Sequence, residues 1–235
     1  MLEVKIITAY PNIFPGTLIH SVVGKALNEK KWSLDIIDLR KFGFDARGTI
    51  DDIPFGGGPG MVLRPDVVEK ALLSIKENES KDRELIYLTP SGHTLKQKMM
   101  LELSKFSQLI ILCGRFEGVD QRAINTLNFR EISIGDYVLC GGEVAAQVLV
   151  EGCIRLLPGV LGHPESLFEE SFSNNLLEYP QYTRPQVWQD AQKNKHEVPE
   201  VLISGHHEKI KKWRKEKSVE KTKLNRPDLL KTEQE

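Results

Sequence analysis

Residues suited to binding chemistry stand in three glycine-bearing runs. Ile132 to Glu143 reads ISIGDYVLCGGE: the end of a strand, a tight turn at Gly135-Asp136, a short extended piece, and Gly141-Gly142 opening an apolar helix. Glycine at turn points lets backbone N–H and C=O groups approach a ligand with no side chain in the way. Tyr137, Val138 and Leu139 add a flat apolar wall. That surface suits a neutral, purine-sized group held by main chain rather than by charge, with an ordinary glycine turn as the alternative. LCGRFEGVD, from Leu112 to Asp120, follows the apolar run 109–111 and precedes a helical stretch, and IYLTPSG, from Ile86 to Gly92, has the same form. Three such loops would converge at the carboxyl edge of a parallel sheet, where open α/β folds bind their ligands.

The elements that must hold these loops follow from periodicity. Val4 to Thr8 reads as a strand. Pro11 opens a helix whose apolar residues Phe14, Leu18, Val22 and Ala26 recur every fourth position, and Trp32 to Leu39 is a second strand. Strand, helix and strand at this spacing predict a parallel pair with a crossover. Further helices are expected over 65–75, 94–103 and 120–127, and strands over 84–89, 108–113 and 130–134. The helix over 143–157 is apolar nearly all round, so it needs more than one neighbour; in a homodimer the second is the other subunit. Pro54 to Gly60 holds four glycines and two prolines and opposes both helix and strand. It lacks the Lys-Ser/Thr of a phosphate-binding P-loop, so it reads as a mobile loop beside the site.

Composition bounds the rest. A chain of 235 residues, 40% hydrophobic and 28% charged, fits a water-soluble protein with a real core. A net charge of −1 announces no global field for nucleic acid, so any such surface is local. Ten Lys/Arg stand against six Asp/Glu from Gly205 to Glu235, either a solvated helical tail or a phosphate-contacting face. Cys113, Cys140 and Cys153 lack metal-ligand spacing and read as reduced thiols of a cytoplasmic protein. No signal peptide or membrane-spanning run stands out. Composition shifts near residue 162, predicting domains over 1–162 and 176–235 joined by an acidic, aperiodic linker over 163–175.

The runs DDIPFGGGPGM, YLTPSG, LCGRFEGVDQR, IGDYVLCGGE, RLLPGVLGHPES and YPQYTRP, in this order, resemble the bacterial tRNA (guanine-37-N1) methyltransferases, the TrmD family. The likeness covers nearly the whole chain. It implies S-adenosylmethionine as methyl donor and a SPOUT fold: a parallel sheet with helices on both faces and a C-terminal trefoil knot, then a small all-α domain. It also implies a homodimer with the active site at the subunit interface, and a requirement for Mg2+, for which no ligand cluster is evident. Without it the expectation would be an open, unknotted sheet.

Methylating guanine N1 requires a base to remove its proton and a donor or cation to stabilise the charge that spreads to O6. Matched residue by residue, Arg155 resembles the family's arginine for the second task. Glu170, in Glu169-Glu170-Ser171-Phe172, stands where the family usually has the aspartate base, and Glu178 likewise replaces an aspartate. Acidity hardly changes, by about 0.4 units, but a misplacement of about 1 Å costs about a hundredfold. Glu169 is the weaker candidate. Matched donor-binding positions are Tyr87, Leu88, Thr89, Pro90, Gly114, Glu117, Ile134, Gly135, Asp136, Tyr137, Val138, Leu139, Gly141 and Gly142. For tRNA they are Gly58, Glu178, Arg184, Ser204, His206 and Arg214, with Ser204 also a helix cap before His206 and His207. A binding module that has lost catalysis, and a methyltransferase of the same fold acting elsewhere on RNA, are the competing readings.

Overall fold

The computed structural model describes residues 1–75, 82–162 and 170–230. They fall into two compact units, Met1–Gly162 and His163–Glu235.

The first unit is α/β. Its long strands are β1 (Leu2–Thr8), β2 (Trp32–Asp38), β5 (Arg83–Thr94), β6 (Gln108–Cys113) and β7 (Arg130–Ser133), with a two-stranded ribbon of β3 (Asp51–Asp52) and β4 (Val62–Leu63) between them. The five long strands form one all-parallel sheet in the order β2-β1-β6-β5-β7. β6 sits at its centre and is buried at every position. Its pleat sends Leu109, Ile111 and Cys113 into one core with residues of α1 (Ser21–Asn28), α3 (Gln97–Leu103) and α5 (Glu143–Ile154). Ile110 and Leu112 enter a second core with α2 (Pro65–Leu73) and α4 (Gln121–Thr126). A parallel sheet covered on both faces needs such an unbroken apolar run, each buried Leu or Ile contributing about 1.5–3 kcal/mol.

Two local expectations fail. The helix expected from Pro11 is instead two 3-10 turns, Pro11–Ile13 and Gly16–Ile19, followed by α1. Pro15 offers no N–H, and Gly16 lies at φ +54°, so the run cannot stay helical. The phase restarts at Ser21, which leaves Val22 exposed and buries Val23. Pro90-Ser91-Gly92 does not end its strand either: β5 runs on to Thr94, its pairing with β7 skipping from Leu88 to His93. The extra residues form a bulge, a device common beside binding sites.

The second unit carries the long helix α7 (His207–Asn225), preceded by the short α6 (Glu200–Ile203). It is not all-α as expected: β8 (Val187–Gln189) pairs antiparallel with β9 (Lys195–Glu197). Asp190 closes the connection by accepting from the backbone N–H of Asn194 at 2.8 Å. α7 buries only Ser218 and Thr222, and the Thr222 Oγ1 accepts the Leu177 N–H at 2.9 Å. Much of the expected linker, 163–169 with Glu169, lies outside the described residues.

Candidate active site

The bulge of β5 and the loops after β6 and β7 surround one cavity of about 240 Å³. Of the residues matched for the donor, Tyr87, Leu88, Thr89, Pro90, Gly114, Glu117, Ile134, Gly135, Tyr137, Val138, Leu139, Gly141 and Gly142 line it. Asp136 lies in the same loop, exposed, and does not line the cavity. Arg115, Phe116, Gly118, Ile132, Ser133, Cys140 and Ala145 also line it, although none is among the matched donor positions. All seven stand inside or beside the glycine-bearing runs, so adjacency was the available signal.

Close packing explains the loop sequences. A Cβ on Gly114 would lie 3.0 Å from the Tyr87 ring, so glycine there lets the second loop pass under the aromatic wall. A Cβ on Gly142 would meet the Cys113 backbone at 2.8 Å, where the Gly142 N–H donates to the Gly114 carbonyl at 2.9 Å. Ser133 ties the third loop: its Oγ donates to the Gly135 carbonyl at 3.0 Å and accepts the Gly135 N–H at 3.2 Å. The Tyr137 hydroxyl donates to the Ile134 carbonyl at 3.1 Å.

The electrostatics suit a neutral guest. Burial pushes the Tyr87 phenol above its ordinary pKa, and burial, then the Glu143 carboxylate, pushes the Cys113 thiol well up, so both stay neutral at physiological pH. The wall is thus mostly main chain, neutral aromatics and aliphatic side chains, with Glu117 and the Glu143-paired Arg115 as its charged groups. The volume is small for a pocket that encloses a whole ligand, and fits a nucleoside part with the remainder reaching outward. That matches the chemistry of S-adenosylmethionine, an adenosine extended by a charged amino-acid chain.

The glycine-rich loop is fastened to this wall. The Glu117 N–H donates to the Met61 carbonyl at 2.9 Å, and Leu63 bridges Val119. Gly58 sits on its exposed stretch at φ +120°, with nothing within 4 Å of where a Cβ would be. Arg155 caps the carboxyl end of α5, its N–H donating to the Glu151 carbonyl at 3.1 Å.

The remaining matched residues belong to the second unit. Glu170 is half-buried, and the neighbouring Ser171 hydroxyl accepts the Glu178 N–H at 3.0 Å, which draws the two substituted acidic positions together. Arg184 is exposed. The Arg214 guanidinium lies 4.8 Å from the centre of the Tyr179 ring. Ser204 does not cap α7 directly: its hydroxyl accepts the His206 N–H at 3.2 Å, one residue before the helix begins. His206 provides the first helical carbonyl, to Ile210 at 3.0 Å.

Residues 2–232 match the sequence profile of tRNA (Guanine-1)-methyltransferase TrmD. A tRNA (guanine-N(1)-)-methyltransferase of Rhodospirillum rubrum is 51% identical over 228 residues, 97% of this chain and 92% of that protein. Proteins of the same name from Ehrlichia canis and from Wolbachia of Culex pipiens are 48% and 50% identical, covering 98% and 97% of this chain and 96% and 97% of their own lengths. Profile and relatives agree across almost the full length, and the chain belongs to the TrmD family of tRNA (guanine-N1)-methyltransferases.

Proposed function

We propose that this protein transfers a methyl group from S-adenosylmethionine to N1 of guanosine 37 in the tRNA anticodon loop. The observation that carries the reading is the convergence of three matched loops on one nucleoside-sized, main-chain-walled cavity in a member of this family. When bound there, the donor supplies an electrophilic methyl group. Glu170 takes the N1 proton and frees the ring lone pair. Arg155 faces the O6 oxygen and stabilises the negative charge that collects on it. Glu178 helps orient the guanine, and Arg184, Ser204, His206, Arg214 and Gly58 hold the RNA. An anticodon loop favours this chemistry because its bases unstack at little cost.

Other parts of the reading rest on the family and on particular features here. The domains are 1–162 and 176–235, with the linker 163–175 between them, and the protein acts in the cytoplasm. Among the described residues no helix is long and apolar enough to cross a membrane. A trefoil knot is supported by the path of α5: it follows the edge strand β7 yet packs on β1 and β6, so the chain crosses back over the sheet end. A homodimer with the active site at the subunit interface is supported by Val144 and Val148, one turn apart on α5 and 57% and 44% exposed. Among the described residues no three His, Cys, Asp or Glu side chains cluster to hold a metal. A required Mg2+ would draw most of its oxygen ligands from bound substrates and water.

Single-turnover transfer from labelled S-adenosylmethionine to a tRNA transcript tests the reading. Glu170→Gln abolishes transfer and leaves donor binding intact; full activity in that variant removes Glu170 from the role. Retained methylation after the base at position 37 is changed from G would instead indicate another target.

A further inference from the structure

The cavity wall contains a buried ion cluster that none of the assigned roles uses. Glu143, the first residue of α5, is 1% exposed. Its Oε1 accepts from the Thr8 hydroxyl at 2.8 Å and from Arg115 Nε at 3.0 Å, while Arg115 Nη2 lies 2.9 Å from its Oε2. The third nitrogen of the fork, Nη1, donates to the Cys140 carbonyl at 3.1 Å. Tyr10 closes the outer side, its ring centre 4.3 Å from the guanidinium carbon, and the Tyr10 N–H donates to Thr8 Oγ1 at 2.9 Å. One guanidinium therefore touches the second loop, which bears it, the third loop through Cys140, the start of α5 through Glu143, and, through Thr8, the end of β1. The two loops also pair at the bridge between Arg115 and Gly141. A Cβ on Gly141 would fall 2.3 Å from Arg115 Nε, so glycine there leaves the space the fork occupies.

We propose that Glu143 is a positioning residue for donor binding: it aims the Arg115 fork so that the second and third loops are held at the separation the donor requires. The proposal rests on the reading of this cavity as the S-adenosylmethionine site. Neutralising Glu143 as glutamine leaves a mostly buried guanidinium uncompensated, with one amide oxygen where the fork met two carboxylate oxygens. The loops then part on the side where Cys140 and Gly141 form the wall. Because the pair stands behind the cavity wall and carries neither the role proposed for Arg155 nor that proposed for Glu170, its loss acts on donor affinity rather than on the chemical step.

Burial makes simple destabilisation the rival explanation, so the test separates fold from affinity. Replacing a buried ion pair by apolar residues of similar size often keeps or raises stability, whereas removing one partner lowers it. Three proteins are compared with wild type by calorimetric titration with S-adenosylmethionine, thermal melting, and the dependence of single-turnover rate on donor: Glu143→Gln, Arg115→Met, and the double variant Arg115→Met/Glu143→Leu. Positioning predicts donor affinity at least about tenfold weaker in all three, with the rate at saturating donor within about threefold of wild type. It further predicts that the double variant melts near wild type yet still binds donor weakly. Recovery of wild-type affinity together with stability in the double variant would overturn the proposal, as would unchanged affinity in Glu143→Gln. Failure of the wild-type protein itself to bind S-adenosylmethionine would instead overturn the reading of the cavity.

Discussion

β6 and the β8–β9 hairpin are both short strand structures, and they are built oppositely. Every residue of Gln108–Cys113 is buried, while every residue of Val187–Gln189 and Lys195–Glu197 is exposed. The helices that follow the contrast are α5, with eight buried positions including Ala145, Leu149 and Ile154, and α7, with two. The buried sheet holds the glycine loops in direct contact, the Gly142 N–H donating to the Gly114 carbonyl at 2.9 Å. The hairpin and α7 depend on local contacts, such as the Trp188–His196 stack at 5.1 Å and the bond from His196 Nε2 to the Asp190 carboxylate at 3.0 Å. A neutral nucleoside is recognised by shape, which calls for the first construction. A phosphate backbone is met by exposed charge, which the second provides.

Core truncation gives the largest separation between the two. Ile110→Ala should cost about 2–5 kcal/mol of unfolding free energy in urea titration, because it empties space in the central strand. Trp188→Ala should cost no more than about 1 kcal/mol, the scale of one cross-strand pair. Equal losses would mean that the hairpin is packed like a core.

Salt comes next. If about four phosphates are neutralised, a fourfold rise in salt weakens tRNA binding by about fiftyfold. Donor binding, proposed to be set mainly by shape and main chain, should move by less than about twofold across the same range. Parallel slopes for the two ligands would break the contrast.

Within the second unit, Thr222→Val removes the oxygen that receives the Leu177 N–H and should cost about 1–3 kcal/mol by thermal melting. A hydroxyl there stands in for the methyl groups that hold the sheet.

The thiols give the smallest effect. Burial pushes Cys153 up from an ordinary 9.0 to about 12, so its neutral form is favoured in the fold. Its contribution to stability is complete below about pH 9 and is lost as pH rises towards about 12, because the unfolded chain gives up the proton first. Alkylation of native protein near neutral pH should accordingly modify exposed Cys140 and spare Cys113 and Cys153, read by mass spectrometry.

The same contrast decided what could be read from the sequence. β6 was legible to the residue, since an unbroken apolar run flanked by polar residues has few other homes. The loops after β6 and β7 were legible because their glycine runs followed such strands, whereas Pro90 to Gly92 proved to be a bulge within β5 rather than a loop after it. The stretch after β1 was misread because Phe14, Leu18, Val22 and Ala26 imitate a helical repeat that Pro15 and Gly16 interrupt. The hairpin was missed because Val187–Glu197 is polar and aperiodic; its pairing rests on Asp190 and on Trp188 meeting His196, a cross-strand match that no periodicity encodes. Nor could spacing reveal the Arg115–Glu143 pair, whose members lie 28 positions apart and meet only through the sheet.

The most direct test of the account is a crystal structure with S-adenosylmethionine bound. Electron density for its adenosine is predicted between the Leu88 and Gly114 backbones and the loop from Ile134 to Leu139. Density for the donor anywhere else on the protein, with this cavity empty, would contradict it.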